Sequence, residues 1–554
     1  MKSKLLLIVS LLWMSVSFAQ QAGLKTYVLH FKDKGVNKSA SINPSVYLSE
    51  KAVERRLKYK IAFDESDLPV NEQYAKALSN SGARILTRSR WLNAVVVEAS
   101  AEVAGKIAAL PFIADLKLLD NNTEQVSTGK PFFETETVNP WAYSQPFKKV
   151  MTDVYDYGAA FNQIDQLKGQ YLHNRGFSGQ GMTIAVLDAG FQLADKMPCF
   201  DSLRANNQIL GTHDFAVPGN NVYDSAMFWH GTSVLSCMGA YINGQMVGTA
   251  PKASYWLIRT EVAETEKLIE EYYWVSGAEF ADSVGADLIN SSLGYTTFDD
   301  PSTSHTYADM DGNTTVVTIG ADKAAQKGIL VVNSAGNSGG GGWWYISAPA
   351  DGDSVLTVGA VDANGIRAGF SSVGPTYDGR IKPDVSAQGA GAALFFPNGL
   401  GYGSGTSFSS PITCGMTACL WQASPNLNNM QIIEAIKATA SQANQADSLL
   451  GWGISDYKSA CTSLSVSNQP VEKVIVTYPN PFTDKLTLGL PVSLHGVYKV
   501  EIINIQGEIV YTLVGSGESL HSLQINDLAN MTAGIYLLRV KTAQSDYSAR
   551  IIKN

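Results

Sequence analysis

The spacing of apolar residues changes twice along this chain, and the changes divide it into three parts. Thr26 to Phe31 alternates like a half-buried strand, and Trp91 to Glu98 and Ile113 to Leu118 read as two more. Ser49 to Tyr59 reads as a helix. Ala101 to Leu110 reads as another, with Ser100 as its N-cap and Pro111 beyond its end. These elements predict a small α+β unit. A thin polar link rich in Thr, Glu and Pro follows, from Asn121 to about Gln145.

From Tyr155 onward the apolar runs are continuous instead of alternating. Met182 to Leu187 is such a run and ends on Asp188; Asp287 to Asn290, Ile329 to Val332 and Ser354 to Gly359 are others. Runs of this kind suit parallel strands buried on both faces. Helical patterns lie between them, from Thr232 to Tyr241 and from Thr314 to Lys327. Strands alternating with helices predict an α/β fold with a doubly wound parallel sheet, whose sites lie beyond the C-terminal strand ends. The period shortens again after Cys461. A polar linker, Ser463 to Pro470, leads into short strand patterns with turn residues such as Gln506-Gly507 between them: Lys485–Leu490, Tyr498–Ile505, Ile509–Val514, Ser519–Ile525, Ile535–Val540 and Ser545–Ile552. That spacing predicts a small β-sandwich.

Length supports several domains, since 554 residues exceed what one core serves. With 41 basic against 50 acidic residues the net charge is −9 and no basic block occurs, so nucleic acid is excluded as an expected partner. Met1 to Ala19 has Lys2 and Lys4, an apolar run and a small-residue end, the form of a signal peptide cleaved after Ala19. Of the five cysteines (Cys199, Cys237, Cys414, Cys419, Cys461) at least one must stay unpaired within the chain, and Cys237 and Cys414 sit in apolar helical patterns as small hydrophobes.

The chemistry concentrates at Tyr402 to Pro411, where a Gly-rich loop turns into the apolar helical run Ile412 to Trp421. This leaves Ser407 near a helix N-terminus, where free N–H groups and the dipole favour developing negative charge. A serine nucleophile needs a base, an orienting acid and oxyanion donors. One candidate for each stands at an element end: His230 before a buried helix, Asp188 after a buried strand, and Asn337 in Ser334-Ala-Gly-Asn-Ser338.

Four segments taken together, Asp188-Ala-Gly190, His230-Gly-Thr232, Ala335-Gly-Asn337 and Gly405-Thr-Ser-Phe-Ser409, resemble the subtilisin family of serine endopeptidases, over roughly Tyr155 to Ala460. Phe370 to Pro375 with Lys382-Pro-Asp384 fits the same family. The resemblance implies that Ser407 attacks the carbonyl, His230 relays the proton, Asp188 fixes the imidazole, and Asn337 with the Ser407 N–H holds the oxyanion. It also implies substrate-binding walls at Ser292, Leu293 and Gly294 and at Ser334, Ala335 and Gly336. The chain departs from the family at Ala189, where a hydroxyl residue would support the aspartate, and at Phe408 and Ser409. Sedolisins share the Gly-Thr-Ser signature but use Glu and Asp where this chain has His230 and Asn337.

Residues 20–145 resemble the inhibitory propeptide of secreted subtilisins and its link, resting on strand–helix order and on Trp91 to Val97. Residues 146–462 would then be the peptidase domain, 463–473 a linker and 474–554 a sorting domain. The tail resembles the C-terminal sorting domain of the type IX secretion system, from Tyr478-Pro-Asn-Pro481 to Thr532–Arg539 and a basic end. The expected partners are therefore protein or peptide substrates, the chain's own propeptide and the type IX machinery. The expected location is the medium or outer cell surface, reached via the periplasm. No cofactor follows with certainty. Structural calcium is an option the family allows, but Asp309 to Asn313 lacks EF-hand spacing. The alternative is a surface adhesive protein on a decayed subtilisin scaffold; the intact set Asp188, His230, Asn337 and Ser407 argues against it.

Overall fold

All six side chains of the strand Thr183–Asp188 are buried, as its unbroken apolar run requires. It lies inside a seven-stranded, wholly parallel sheet in a computed structural model that describes residues 23–35, 43–121, 153–467, 476–542 and 546–554. The chain forms two compact units, Met1–Cys461 and Thr462–Asn554. The signal-peptide expectation and most of the link from Asn121 fall outside the described residues.

The first unit begins with a four-stranded antiparallel sheet: β1 (Leu24–Phe31), β2 (Arg84–Ser89), β3 (Ala94–Ser100) and β4 (Ile113–Asp120), in the order β2-β3-β1-β4. Its helices are α1 (Glu50–Lys58), α2 (Glu72–Asn80) and α3 (Ala101–Ala108). Side-chain alternation along a strand gives this sheet two apolar faces. Tyr27, Leu29, Val95 and Val97 pack with Leu78 and Ile107 of its own helices, whereas Val28, Ala94 and Val96 face the larger domain.

The larger sheet runs β11-β10-β9-β8-β5-β7-β6, from β5 (Thr183–Asp188), β6 (Ile209–Asp214), β7 (Ser254–Arg259), β8 (Leu288–Ser291), β9 (Leu330–Ser334), β10 (Val355–Val361) and β11 (Val385–Gln388). α4 (His230–Gly239) begins with the candidate base His230, α5 (Ile269–Ser283) and α6 (Val316–Gln326) pack together, and α7 (Thr406–Ala423) carries the candidate nucleophile Ser407. α5 is buried nearly all round because it is shared. Trp274, Val275 and Ala278 meet the parallel sheet, while Ile269, Tyr272 and Tyr273 meet the N-terminal sheet.

The second unit is an antiparallel five-stranded sheet of β12 (Val476–Tyr478), β13 (Leu486–Ile503), β14 (Ile509–Ile525), β15 (Gly534–Thr542) and β16 (Asp546–Lys553). Two predicted strand pairs prove continuous, because register shifts around Leu494 absorb the Pro and Gly that read as a break. A helix over Tyr457–Ser467 runs through the first residues of the predicted linker.

Candidate active site

Asp188, at the C-terminal end of β5, is fully buried. Its Oδ1 accepts the Ala189 N–H at 2.8 Å, and its carbonyl accepts the Thr260 N–H at 3.0 Å. Main-chain donors thus hold the aspartate in place of the hydroxyl that Ala189 lacks. His230 opens α4 with its Nδ1 2.9 and 3.0 Å from the two Asp188 oxygens. A carboxylate only accepts, so in the neutral ring Nδ1 carries the proton and Nε2 is basic. The helix reaches the strand end only because Gly231 follows. A Cβ there would lie 2.4 Å from the Gly190 carbonyl and 2.9 Å from the Asp188 Cβ.

Ser407 is the second residue of α7, 1% exposed. The ring of its neighbour Phe408 lies 6.0 Å from the His230 ring, which brings the start of α7 beside the candidate base. The Ser407 hydroxyl makes no hydrogen bond in this state; such contacts are commonly loose before substrate closes them. Pro411 sits inside α7 and has no N–H for the Ser407 carbonyl four residues back. The Ser292 hydroxyl takes that carbonyl instead, at 2.9 Å.

Asn337 follows β9. Its Oδ1 accepts from the Thr406 N–H at 2.8 Å and the Thr406 hydroxyl at 2.9 Å, and the Thr406 hydroxyl accepts the Gly336 N–H at 3.2 Å. With its Oδ1 so held, the Asn337 amide nitrogen lies 3.5 Å from where a Cβ on Gly405 would stand, and the Ser407 nitrogen 3.7 Å from the same point, at the end of α7 where the first N–H groups lack intrahelical acceptors. Ser292–Gly294 and Ser334–Gly336 lie at the ends of the neighbouring strands β8 and β9. The Asn333 amide nitrogen donates to the Leu293 carbonyl at 3.1 Å and fixes the gap between them.

Other candidates for the chemistry are disabled by burial. All five thiols are buried and none is in a disulfide, and burial pushes Cys237, Cys414 and Cys419 well above the usual thiol range and Cys199 up to about 12. His173 is pushed down to about 4 by burial, its ring held by the Tyr157 hydroxyl at 2.8 Å and the Thr249 carbonyl at 2.9 Å. The Asp309–Asn313 loop does not fit calcium. Asp311 accepts from the Asn313 and Thr314 N–H groups and the Thr314 hydroxyl, and Asp309 caps the turn at Thr306. Among the described residues, Glu261, Glu266 and Glu270 bring three buried carboxylates within 4.8 Å of one another. Tyr295 donates to Glu261, and the Val262 N–H donates to Glu270.

Sequence reasoning missed the anchor of the N-terminal domain. Arg55, Arg56 and Arg90 converge on the fully buried Asp282 of α5, Arg56 at 2.8 Å and Arg90 at 2.9 Å. Arg56 also pairs with Asp67, as does Lys327 at 3.1 Å. One turn earlier on α5, Glu279 accepts from the Ser89 hydroxyl at 2.6 Å and from the Arg90 and Trp91 N–H groups. The adjacent Arg55-Arg56 on a helix that also buries Ala52 was the available signal.

Comparison with known proteins bears on this geometry directly. A family described as Subtilase family matches residues 179–453. Subtilisin from Bacillus pumilus is 30% identical over 282 residues, 50% of this chain and 90% of that protein. The chain belongs to the subtilase family. Subtilisin NAT from Bacillus subtilis subsp. natto is also 30% identical over 282 residues, and the chain spans 65% of its length, just under two thirds. An alkaline protease from Alkalihalobacillus alcalophilus is 26% identical over 425 residues, 76% of this chain and 95% of that protein. Residues 26–131 match a Peptidase S8 propeptide domain of Bacteroidota, and residues 476–554 a secretion system C-terminal sorting domain. This subtilase thus carries a propeptide domain before the peptidase and ends in a sorting domain, the mark of a chain bound for secretion or the outer surface.

Proposed function

We propose that this subtilase is a secreted, zymogen-type serine endopeptidase that cuts protein substrates through Asp188, His230 and Ser407, with Asn337 in the oxyanion hole. The observation that carries the reading is the fully buried Asp188–His230 pair beside the N-terminus of α7. The Ser407 oxygen attacks the scissile carbonyl while His230 Nε2 takes its proton, and Asp188 steadies the imidazolium. The Asn337 amide and the Ser407 N–H receive the charge on the tetrahedral oxygen. His230 returns the proton to the leaving amine, the C–N bond breaks, and water releases the acyl group by the same steps. The residues 20–145 serve as inhibitory propeptide and link, and 474–554 as the sorting module.

A fluorophosphonate probe tests this reading. The processed chain should gain one covalent adduct at Ser407, absent from Ser407→Ala. A folded, processed chain that is not labelled would favour the adhesive scaffold instead. Sorting is tested separately: a chain truncated near Val471 should still fold and cut peptides but stay in the periplasm of its host. Normal export of the truncated form would refute the sorting role.

A further inference from the structure

Three polar residues stand together at the end of β8, Asn290, Ser291 and Ser292, and all are fully buried. Side chains alternate along a strand. Ser291 faces α5, where the Trp274 indole N–H donates to its hydroxyl at 3.0 Å, while Asn290 and Ser292 face α7. In the sequence Asn290 reads only as the end of an apolar run. A buried amide, however, needs partners for both its oxygen and its nitrogen. Asn290 finds them in a chain of hydrogen bonds that starts and finishes on α7. The Ser410 hydroxyl donates to the Asn290 Oδ1 at 3.2 Å, the Asn290 amide nitrogen donates to the Ser292 Oγ at 3.3 Å, and Ser292 donates to the Ser407 carbonyl at 2.9 Å.

Only one direction of donation satisfies all three bonds. A carbonyl only accepts, so the Ser292 proton is committed to Ser407. The Ser292 oxygen must then accept from Asn290, which brings the amide nitrogen to Ser292 and the amide oxygen to Ser410. Ser410 is left to donate. The polarity of the whole chain is thus set by the Ser407 carbonyl, the group to which Pro411 offers no N–H. An amide turned the other way would present its oxygen to Ser292 and draw that proton off Ser407.

We propose that Asn290 is a positioning residue for the nucleophile: its amide, oriented by Ser410, keeps the Ser292 proton on the Ser407 carbonyl and so sets where the Ser407 Oγ stands for attack. This role rests on the endopeptidase reading above. Asn290 acts through Ser292 and not on the substrate. Placement at this point matters, since a displacement of about 1 Å can cost about 10² in rate.

The test uses the full-length chain after self-processing, with active sites counted by the fluorophosphonate and turnover read on a fluorogenic peptide amide. Asn290→Asp keeps the shape of the side chain but, once ionised, only accepts, so it pulls the Ser292 proton off the Ser407 carbonyl. Its kcat per labelled site should fall about tenfold, roughly the worth of one hydrogen bond, with KM nearly unchanged. A protonated carboxyl can donate, so the deficit relative to the wild type should deepen as pH rises. Ser410→Ala should give a smaller fall in kcat, and Ser410→Thr, which keeps the hydroxyl, should recover it. If Asn290→Asp yields no folded protein, the two Ser410 variants decide. A purely structural role would lower yield or stability but leave kcat per labelled site and its pH dependence as in the wild type. That result, or a Ser410→Thr no better than Ser410→Ala, would overturn the positioning role while wild-type labelling still upheld the peptidase. A wild type that takes no label would overturn both.

Discussion

Two fully buried carboxylates in this subtilase, Asp188 and Asp282, sit in opposite circumstances. Asp282 is held by three guanidiniums, all from the N-terminal domain. Asp188 is held by its own neighbour's N–H and by one imidazole. The guanidiniums are always charged, so the charge at Asp282 is balanced for as long as the domains stay together. In the proposed mechanism the imidazole takes and returns the Ser407 proton, so the balance at Asp188 would change during a reaction. On the proposed mechanism, one buried carboxylate joins two domains and the other serves turnover. Breaking a buried pair by removing one partner is costly either way, but the loss should appear in different measurements.

The largest effect is expected at the residue Asp188 ultimately serves. Ser407→Ala should abolish peptide hydrolysis and leave the N-terminal domain attached; gel analysis after expression in a protease-deficient host checks this, and processing in that host would refute self-maturation. Asp188→Asn should lower kcat about 10⁴-fold by favouring the wrong tautomer of His230, with little change in processed yield per folded molecule once maturation is supplied in trans. Asn337→Ala should cost about 10²–10³ in kcat, a magnitude taken from subtilisin itself rather than from this geometry.

Asp282 should behave differently. In the Ser407→Ala background, where the domains remain joined, Asp282→Ala should destabilise the chain by about 3–5 kcal/mol, because three guanidiniums are left without their shared acceptor. Chemical unfolding reads this directly. Supplied with matured enzyme, the same substitution should spare kcat, and a fall to match Asp188→Asn would erase the distinction between the two sites.

The smallest effect is a pH dependence of stability. His173 sits at about 4 when folded against 6.5 as its ordinary value, so the unfolded chain binds the proton first. Its contribution is therefore present above about pH 6.5 and is lost as pH falls toward about 4. Unfolding of the Ser407→Ala chain should weaken over that window, and His173→Phe should flatten the slope there.

Much of the peptidase domain was legible because its strands are buried on both faces and read as unbroken apolar runs. Thr183–Asp188, Leu330–Ser334 and Val355–Val361 fall within a few residues of their predicted places. β7 and α5 were not legible. Ser254–Arg259 mixes Ser, Tyr, Trp and Arg, and α5 carries Glu270, Glu271, Glu279 and Asp282 on buried positions, which breaks the helical stripe. Glu279 and Asp282 find their partners in the N-terminal domain, and Glu271 finds His305 and the Val317 N–H, contacts of long sequence separation that no local pattern encodes. In the N-terminal domain Glu72–Asn80 and Arg84–Ser89 went unread for a similar reason: each is short, and its apolar residues are sparse. The site residues were legible as types at element ends. Their supports, Thr406 beneath Asn337 and Ser292 beneath the Ser407 carbonyl, were not, since a hydroxyl's partner is invisible until the fold brings it near.

The bond from Ser292 to the Ser407 carbonyl carries a mechanical consequence. Pro411 removes the helix's own tie to that carbonyl, so the first turn of α7 is anchored to a strand end outside the helix. A load applied at Ser292, by a peptide pulled along the proposed cleft, would pass through one hydrogen bond to Ser407, the proposed nucleophile. A displacement of Ser292 is therefore felt at the backbone of Ser407 before it reaches the rest of α7.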